Sequence, residues 1–396
     1  VYISMSQHIG KPCQPVVAKG DHVKVGQLIG YVDAFISAPI YSSVSGDVVA
    51  IEEARSALGG IDKYVIIAAD GKQEPFEGLA VPQCETRDDF IKAVRASGVV
   101  GLGGASFPTH VKLNPANIDE CDTLIVNGAE CEPFITSDHR NMLEHTDDIV
   151  SGIKLIMKYL DLKKCYIGIE NNKPDAIAKM RDAVKDIPGA EVTELRSTYP
   201  QGAERVLIHE TAGELPASVG CILSNVTTIL KIGEYFRTGM PMISRTVTVA
   251  GDAITKPENV NTLIGTKYYD LAEFCGGYKE EPKKILMGGP MMGRAIFSDE
   301  MPIVNTGSVL FFDEKQAEIS EPTACINCGR CHRACPIGLM PKEYAKAFKA
   351  GDAQRLKDLK IMECMTCGSC SYVCPAKKPL AFINTLAKGM AKEAGH

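Results

Sequence analysis

Two stretches decide how this chain is read: Cys325-Ile326-Asn327-Cys328-Gly329-Arg330-Cys331-His332-Arg333-Ala334-Cys335-Pro336 and Cys364-Met365-Thr366-Cys367-Gly368-Ser369-Cys370-Ser371-Tyr372-Val373-Cys374-Pro375. Each has the spacing C-x2-C-x2-C-x3-C-P. In proteins with paired iron-sulfur clusters, the fourth cysteine of one such run ligates the cluster built on the other. The spacing therefore predicts two 4Fe-4S clusters, one on Cys325, Cys328, Cys331 and Cys374 and the second on Cys335, Cys364, Cys367 and Cys370. Clusters with exchanged ligands must lie close together, so the segment reads as a wire for single electrons. C-x2-C alone also serves zinc, but two complete copies, each closed by Cys-Pro, favour iron and sulfide.

Between the runs, residues 340–349 and 352–362 carry apolar residues at helical spacing, with Ala350-Gly351 as a break. The expectation is an α-helical ferredoxin, a carrier inside a larger protein. At 396 residues there is room for about two to four domains. Eight thiolate ligands call for a reducing compartment. The other seven cysteines, Cys13, Cys84, Cys121, Cys131, Cys165, Cys221 and Cys275, are scattered and read as free core thiols. A net charge of -6 without a Lys/Arg block argues against nucleic acid. No apolar run of about 18 residues is present, so no transmembrane segment is expected. The first residue is Val1, so a trimmed N-terminus is expected.

The first segment echoes itself. Gly20-Asp21-His22-Val23-Lys24-Val25 returns 26 residues later as Gly46-Asp47-Val48-Val49-Ala50-Ile51, each a Gly-Asp turn entering an alternating strand. Two such halves make a flattened barrel that resembles the lipoyl and biotinyl carriers, the barrel-sandwich hybrid. Carriers need a lysine at a hairpin tip, and none occurs between Lys24 and Lys63, so a docking or scaffold role is expected.

From residue 88 helix and strand alternate: helix 88–97, strand 123–126, a helix through Ile149, Ile153, Ile156, Met157 and Leu160, strand 165–170, helix 174–184 and strand 190–195. That order argues for a mostly parallel sheet covered on both faces, with ligands at the carboxyl ends of its strands. Gly101-Leu102-Gly103-Gly104 before Lys112 is either a phosphate cradle, with backbone N–H groups unobstructed by Cβ atoms and a cation nearby, or a set of tight turns. Its spacing departs from the NAD-binding G-x-G-x-x-G.

The stretch 101–112 resembles the flavin- and NADH-binding loop of the FMN-carrying 51 kDa subunit family of respiratory complex I. Three further stretches match that family in the same order: Asn127-Gly128-Ala129-Glu130-Cys131-Glu132-Pro133, Tyr199-Pro200-Gln201-Gly202-Ala203-Glu204 and Ser224-Asn225-Val226, with Ala129 and Ala203 where the family has acidic residues. The resemblance implies that Gly101, Gly103, Gly104, Lys112, Asn127, Tyr199, Gly202, Ser224 and Asn225 surround a non-covalent FMN. It places Phe107 and Glu204 towards NADH. Glu130, Glu132 and Glu204 are expected to hold negative charge near flavin and nicotinamide, so Glu132→Gln should raise the flavin potential, and an unchanged potential would refute this. No residue is expected to act as acid or base, because hydride passes directly to flavin. His110 and His332 read as packing or surface residues.

A third module, from about residue 243 to 297, resembles the β-grasp (SLBB) domain that follows the flavin domain in the same family. Met291-Met292 within it reads as core or interface. The whole order, multidomain α/β and α+β, is a barrel-sandwich hybrid (1–80), a Rossmann-like flavin domain (81–240), a β-grasp domain (241–312) and a helical ferredoxin domain (313–396). This order resembles the RnfC family, found in the Rnf (Rsx) electron transport complexes. Membership implies an NAD(H)-linked oxidoreductase subunit, peripheral on the cytoplasmic face of the membrane, partnered by other subunits of a membrane-embedded, ion-translocating complex and by ferredoxin indirectly. Two alternatives are weighed: a cobalamin reductase of metabolic microcompartments, whose modules follow a different order, and a non-catalytic ferredoxin-type adapter.

Overall fold

The strand Thr123–Asn127 has every apolar side chain buried: Leu124, Ile125 and Val126 are all inaccessible to solvent. Because successive side chains alternate faces, Leu124 and Val126 enter one core while Ile125 enters another with Leu207 and Ile208. Burying such side chains contributes about 1.5–3 kcal/mol each. A strand apolar on both faces belongs inside a parallel sheet. In the computed structural model, which describes residues 1–57, 59–212 and 220–394, this strand lies inside a four-stranded parallel sheet. Its order is Ala190–Leu195, Lys164–Glu170, Thr123–Asn127, Cys221–Asn225.

The larger core sits under the helices Arg87–Ala96, Thr146–Leu160, Pro174–Val184 and Val226–Thr238. Helix Glu204–Ala212 covers the other face. Two of the larger set cross closely at paired glycines. A Cβ on Gly152 would stand 2.3 Å from the Ile229 carbonyl oxygen, and one on Gly233 would stand 2.0 Å from that of Asp148. Alanine at either position would force the helices apart.

The first domain pairs its two sequence echoes directly: His22–Val23 lies antiparallel to Gly46–Arg55, with His22 opposite Asp47 and Val23 opposite Gly46. Gly46–Arg55 continues against Ile61–Ala69, which pairs with Tyr2–Ser4. A three-stranded sheet of Gln14–Pro15, Leu28–Tyr31 and Ile40–Tyr41 accompanies it. Ile3, Met5, Val23, Ile29, Ile40, Val48, Val65 and Ile67 fill the barrel.

The β-grasp sheet runs Glu258–Leu263, Ser244–Ala250, Ser308–Phe312, Lys284–Met287, Arg294–Ile296, with helix Tyr268–Phe274 packed on it. Its central strand, Ser308–Phe312, lies past residue 297, where the resemblance in sequence ends, and pairs parallel with Ser244–Ala250. The described part of the C-terminal domain is helical. Pro341–Lys349 and Ala353–Asp358 form the expected hairpin, and Leu380–Glu393 closes a small core of Tyr344, Ala347, Leu356, Ile361, Ala387 and Ala391. Among the described residues no helix is long and apolar enough to cross a membrane.

Candidate functional site: a flavin crevice joined to a cysteine cavity

In the parallel sheet the chain runs outward from Thr123–Asn127 to Ala190–Leu195, then returns to lay Cys221–Asn225 on the opposite side. The crevice beyond the carboxyl ends of those two neighbouring strands is the topological switch point, where ligands of such sheets bind. The strands end there as register partners, Asn127 beside Asn225. Both asparagines are expected flavin contacts, and both shape the crevice. Asn225 Oδ1 accepts from the Thr227 and Thr228 backbone N–H groups (3.0 and 3.3 Å), capping helix Val226–Thr238, while its Nδ2 donates to Asp138. Asn127 Nδ2 donates to the Gly202 carbonyl at 2.8 Å, and its Oδ1 accepts from the Ala129 N–H at 3.1 Å. Ser224, next to Asn225 on the strand, is buried.

The glycine loop lies over Asn225. A Cβ on Gly103 would stand 3.1 Å from that of Asn225. Gly104 has φ +129°, a conformation that requires glycine, and the space its Cβ would take is open. Gly101 N–H donates to the Phe107 carbonyl and closes the loop. A cofactor phosphate fits this open, Cβ-free surface. The loop is tied from several sides: Leu102 N–H donates to Thr228 Oγ1, Ile9 N–H of the barrel to the Ser106 carbonyl, and Asn305 Nδ2 of the β-grasp domain to Ser106 Oγ. Arg245, on a β-grasp strand and fully buried, donates to the Leu102 carbonyl and to Asn305 Oδ1. Burial lowers its pKa to about 10. Sequence reasoning missed Arg245, yet the signal was present: in Ser244–Ala250 it shares the inward face with Val247 and Val249. Lys112 lies at the rim, its Nζ 3.1 Å from Glu204.

The acidic loop turns inward. Glu130 accepts from the Asp138 and His139 backbone N–H groups (2.8 and 3.2 Å) and from Ser137 Oγ, and so caps helix Ser137–Glu144. Burial first, then the charge of Asp138, raises its pKa. Burial also raises that of Asp138, which Thr227 and Asn225 bind. Glu132 accepts from the Met291 and Met292 N–H groups of a β-grasp turn at 3.0 and 2.8 Å, and burial raises its pKa. Phe134 follows, edge-on to Phe312. Gln201 is buried and its Nε2 has no partner among the described residues; it too was missed.

On this flank the flavin domain meets the cysteine domain. The Tyr199 hydroxyl donates to the Cys367 carbonyl, and Arg205 pairs with Glu363. Gly368 lies so near the Met291 carbonyl that a Cβ would stand 2.7 Å from it. Met291 is thus at an interface, whereas Met292 is exposed.

The two cysteine runs fold alike. Asn327 and Gly329 in the first, and Thr366 and Gly368 in the second, take positive φ at matching positions. Short helices Arg330–Arg333 and Ser369–Tyr372 follow and pack together. One cavity is lined by Cys335 of the first run with Cys364, Cys367 and Cys370 of the second. Thr323 N–H donates to the Ala376 carbonyl, laying the start of the first run beside the end of the second. Among the described residues no three His, Cys, Asp or Glu side chains are gathered closely enough for a single metal ion. The sulfurs ring a cavity, which fits a cluster. Cys325 and Cys328 are exposed, Cys331 and Cys374 half-buried. The remaining cysteines are free, four of them buried. His110 is buried, and exposed His332 bonds the Leu339 carbonyl.

Comparisons with known proteins follow the same order. Residues 1–72 match the family described as RnfC barrel sandwich hybrid domain, 94–234 the Nuo51 FMN-binding domain, 246–295 the SLBB domain and 324–378 the 4Fe-4S dicluster domain. The fold is similar to that of NAD+-reducing [NiFe]-hydrogenase in its H2-reduced state, at TM-score 0.51 and 17% identity, covering 78% of this chain and 61% of that one. The RnfC-type subunit of the proton-translocating ferredoxin:NAD(+) oxidoreductase complex of Clostridium ljungdahlii is 44% identical, over 86% of this chain and 77% of its own. Its counterpart in the Na(+)-translocating complex of Acetobacterium woodii is 40% identical, over 87% and 80%. The corresponding subunit of the ion-translocating oxidoreductase complex of Rhodobacter capsulatus is 36% identical, over 99% and 78%. With an FMN-binding domain, a dicluster domain and this likeness along most of its length, the chain belongs to the RnfC family of subunits of ion-translocating ferredoxin:NAD(+) oxidoreductase complexes.

Proposed function

We propose that this chain passes electrons between NAD(H), a non-covalent FMN at the switch-point crevice and two 4Fe-4S clusters. It does so as a peripheral subunit, on the cytoplasmic face, of a membrane-embedded ferredoxin:NAD+ oxidoreductase that translocates ions. The observation that carries the reading is the hydrogen bond from Tyr199 to the Cys367 carbonyl, which leaves the flavin loops and a cluster ligand in direct contact. Burial raises the pKa of Tyr199 far above its ordinary value, so the hydroxyl stays a donor and keeps the two sites aligned.

On this reading Cys335, Cys364, Cys367 and Cys370 hold the cluster nearer the flavin. Exposed Cys325 and Cys328, with Cys331 and Cys374, hold the one that meets a partner subunit. Bound FMN supplies the exchange between a two-electron hydride and single electrons. The chain supplies position: Gly101, Gly103, Gly104 and Lys112 receive the phosphate, Asn127, Gly202, Ser224 and Asn225 form the floor, and Phe107 and Glu204 face NADH. Glu130 and Glu132 bring carboxylates close while backbone N–H groups hold them. The barrel placed ahead of the flavin domain supports this reading over the cobalamin reductase.

Anaerobic reconstitution followed by assay of iron, sulfide and extractable FMN tests it. About eight irons and one FMN per chain, with cluster absorbance bleached by NADH, is the expected result. Eight irons without FMN, even when FMN is supplied, would leave a cluster adapter.

A further inference from the structure

The cavity lined by Cys335, Cys364, Cys367 and Cys370 contains one polar side chain from outside both cysteine runs. Asn384 lies on the C-terminal helix Leu380–Glu393, is 1% exposed and lines this cavity. Its Nδ2 stands 3.5 Å from the Cys364 sulfur and 4.0 Å from that of Cys370. Its Oδ1 has no hydrogen-bond partner among the described residues. An amide buried this deeply is costly unless its polar atoms are used, and the sulfurs are what its N–H group reaches. One turn further along, Lys388 donates Nζ to the Cys364 carbonyl at 2.8 Å, so a positive charge approaches the same ligand.

The other four cysteines are treated differently. Among the described residues the side-chain partner of that set is Asn327 Oδ1, 4.0 Å from the Cys325 sulfur, which is an acceptor. The helix thus supplies an N–H donor and a cation to one ligand set and neither to the other.

Hydrogen bonds to the sulfurs are among the groups that set the potential of an iron-sulfur centre. Reduction adds negative charge that the ligand sulfurs share, so an N–H aimed at them stabilises the reduced form more than the oxidised one. We propose that Asn384 sets the reduction potential of the cluster held by Cys335, Cys364, Cys367 and Cys370, raising it through N–H donation to Cys364 and Cys370. The inference rests on the ligand assignment made above.

The test is an EPR-monitored redox titration of the reconstituted full-length protein with its iron content measured alongside. Asn384→Leu removes the donor, and Asn384→Asp removes it at constant volume while adding a carboxylate. Expected are unchanged iron content and a lower midpoint for one of the two clusters, lower still with Asp, the second cluster staying where it was. Full iron with both midpoints unmoved would overturn the role of Asn384 and leave the ligand assignment intact. Loss of iron from both variants would also overturn it, making Asn384 an assembly residue. A wild-type chain that takes up only one cluster would refute the ligand assignment and the inference with it.

Discussion

Lys112 and Glu204 illustrate how a single pair can hold two roles in tension. Glu204 sits where the cation otherwise faces the open glycine loop, 3.1 Å from Lys112 Nζ. Both side chains are partly solvated, so their pairing contributes no more than about 1 kcal/mol and weakens with salt. A phosphate arriving at the loop competes with Glu204 for the same ammonium. Glu204→Gln should therefore tighten FMN binding by up to roughly fivefold at low ionic strength, the gain shrinking as salt is added. Flavin fluorescence quenching measures it. An equal affinity at all salt concentrations would show that Lys112 does not meet the phosphate. Residue identities of this kind were legible from the stretches 101–112 and 199–204. What Asn225 does with its side chain was not, because the Thr227 and Thr228 N–H groups and Asp138 are brought to it only by the turn from strand to helix.

Among the elements, helix Ser137–Glu144 is capped from outside its own sequence. Thr136, at its N-cap, makes no side-chain cap bond, and Glu130 satisfies the exposed N–H groups from the preceding loop. Burial and the neighbouring Asp138 favour the protonated carboxyl. The native state then keeps a proton that the unfolded chain releases above the ordinary glutamate pKa of about 4.3. In the window from there up to the raised native value, the unfolded state binds fewer protons, so stability falls as pH rises. Glu130→Gln should flatten that slope: its melting temperature should decline less than wild type's between mildly acid and neutral pH. Parallel slopes would mean Glu130 is ionised in the fold.

Strand and helix positions from residue 123 to 195 were readable because apolar periodicity and proline punctuate them. Strand Ser308–Phe312 was not, since a continuous apolar run shows neither the period of a half-buried strand nor that of a helix. Its place at the centre of the β-grasp sheet depends on Ser244–Ala250, some sixty residues earlier. Asn384 escaped for a similar reason: a lone amide in an apolar helix gains meaning only when that helix closes over the cysteines.

Across the whole molecule, the order of modules was legible from the cysteine spacing and the glycine loop, while the joints between them were not. Tyr199→Phe probes the joint that matters most. It keeps the ring and removes the donor to Cys367. Cluster bleaching by NADH should slow severalfold in stopped flow, with FMN and iron content unchanged. An unaltered rate would place electron transfer on another path. The Arg205–Glu363 pair beside it is about two-fifths exposed on each side, so its loss should change stability by under about 1 kcal/mol.

The glycine loop is shaped by bonds from Ile9, Arg245 and Asn305, which belong to two other domains. A fragment cut to residues 94–234 would therefore inherit the loop's letters without its shape. Grafting between relatives should succeed only when barrel, flavin domain and β-grasp travel together, which makes residues 1–312 the smallest exchangeable cartridge and the cysteine domain its replaceable plug.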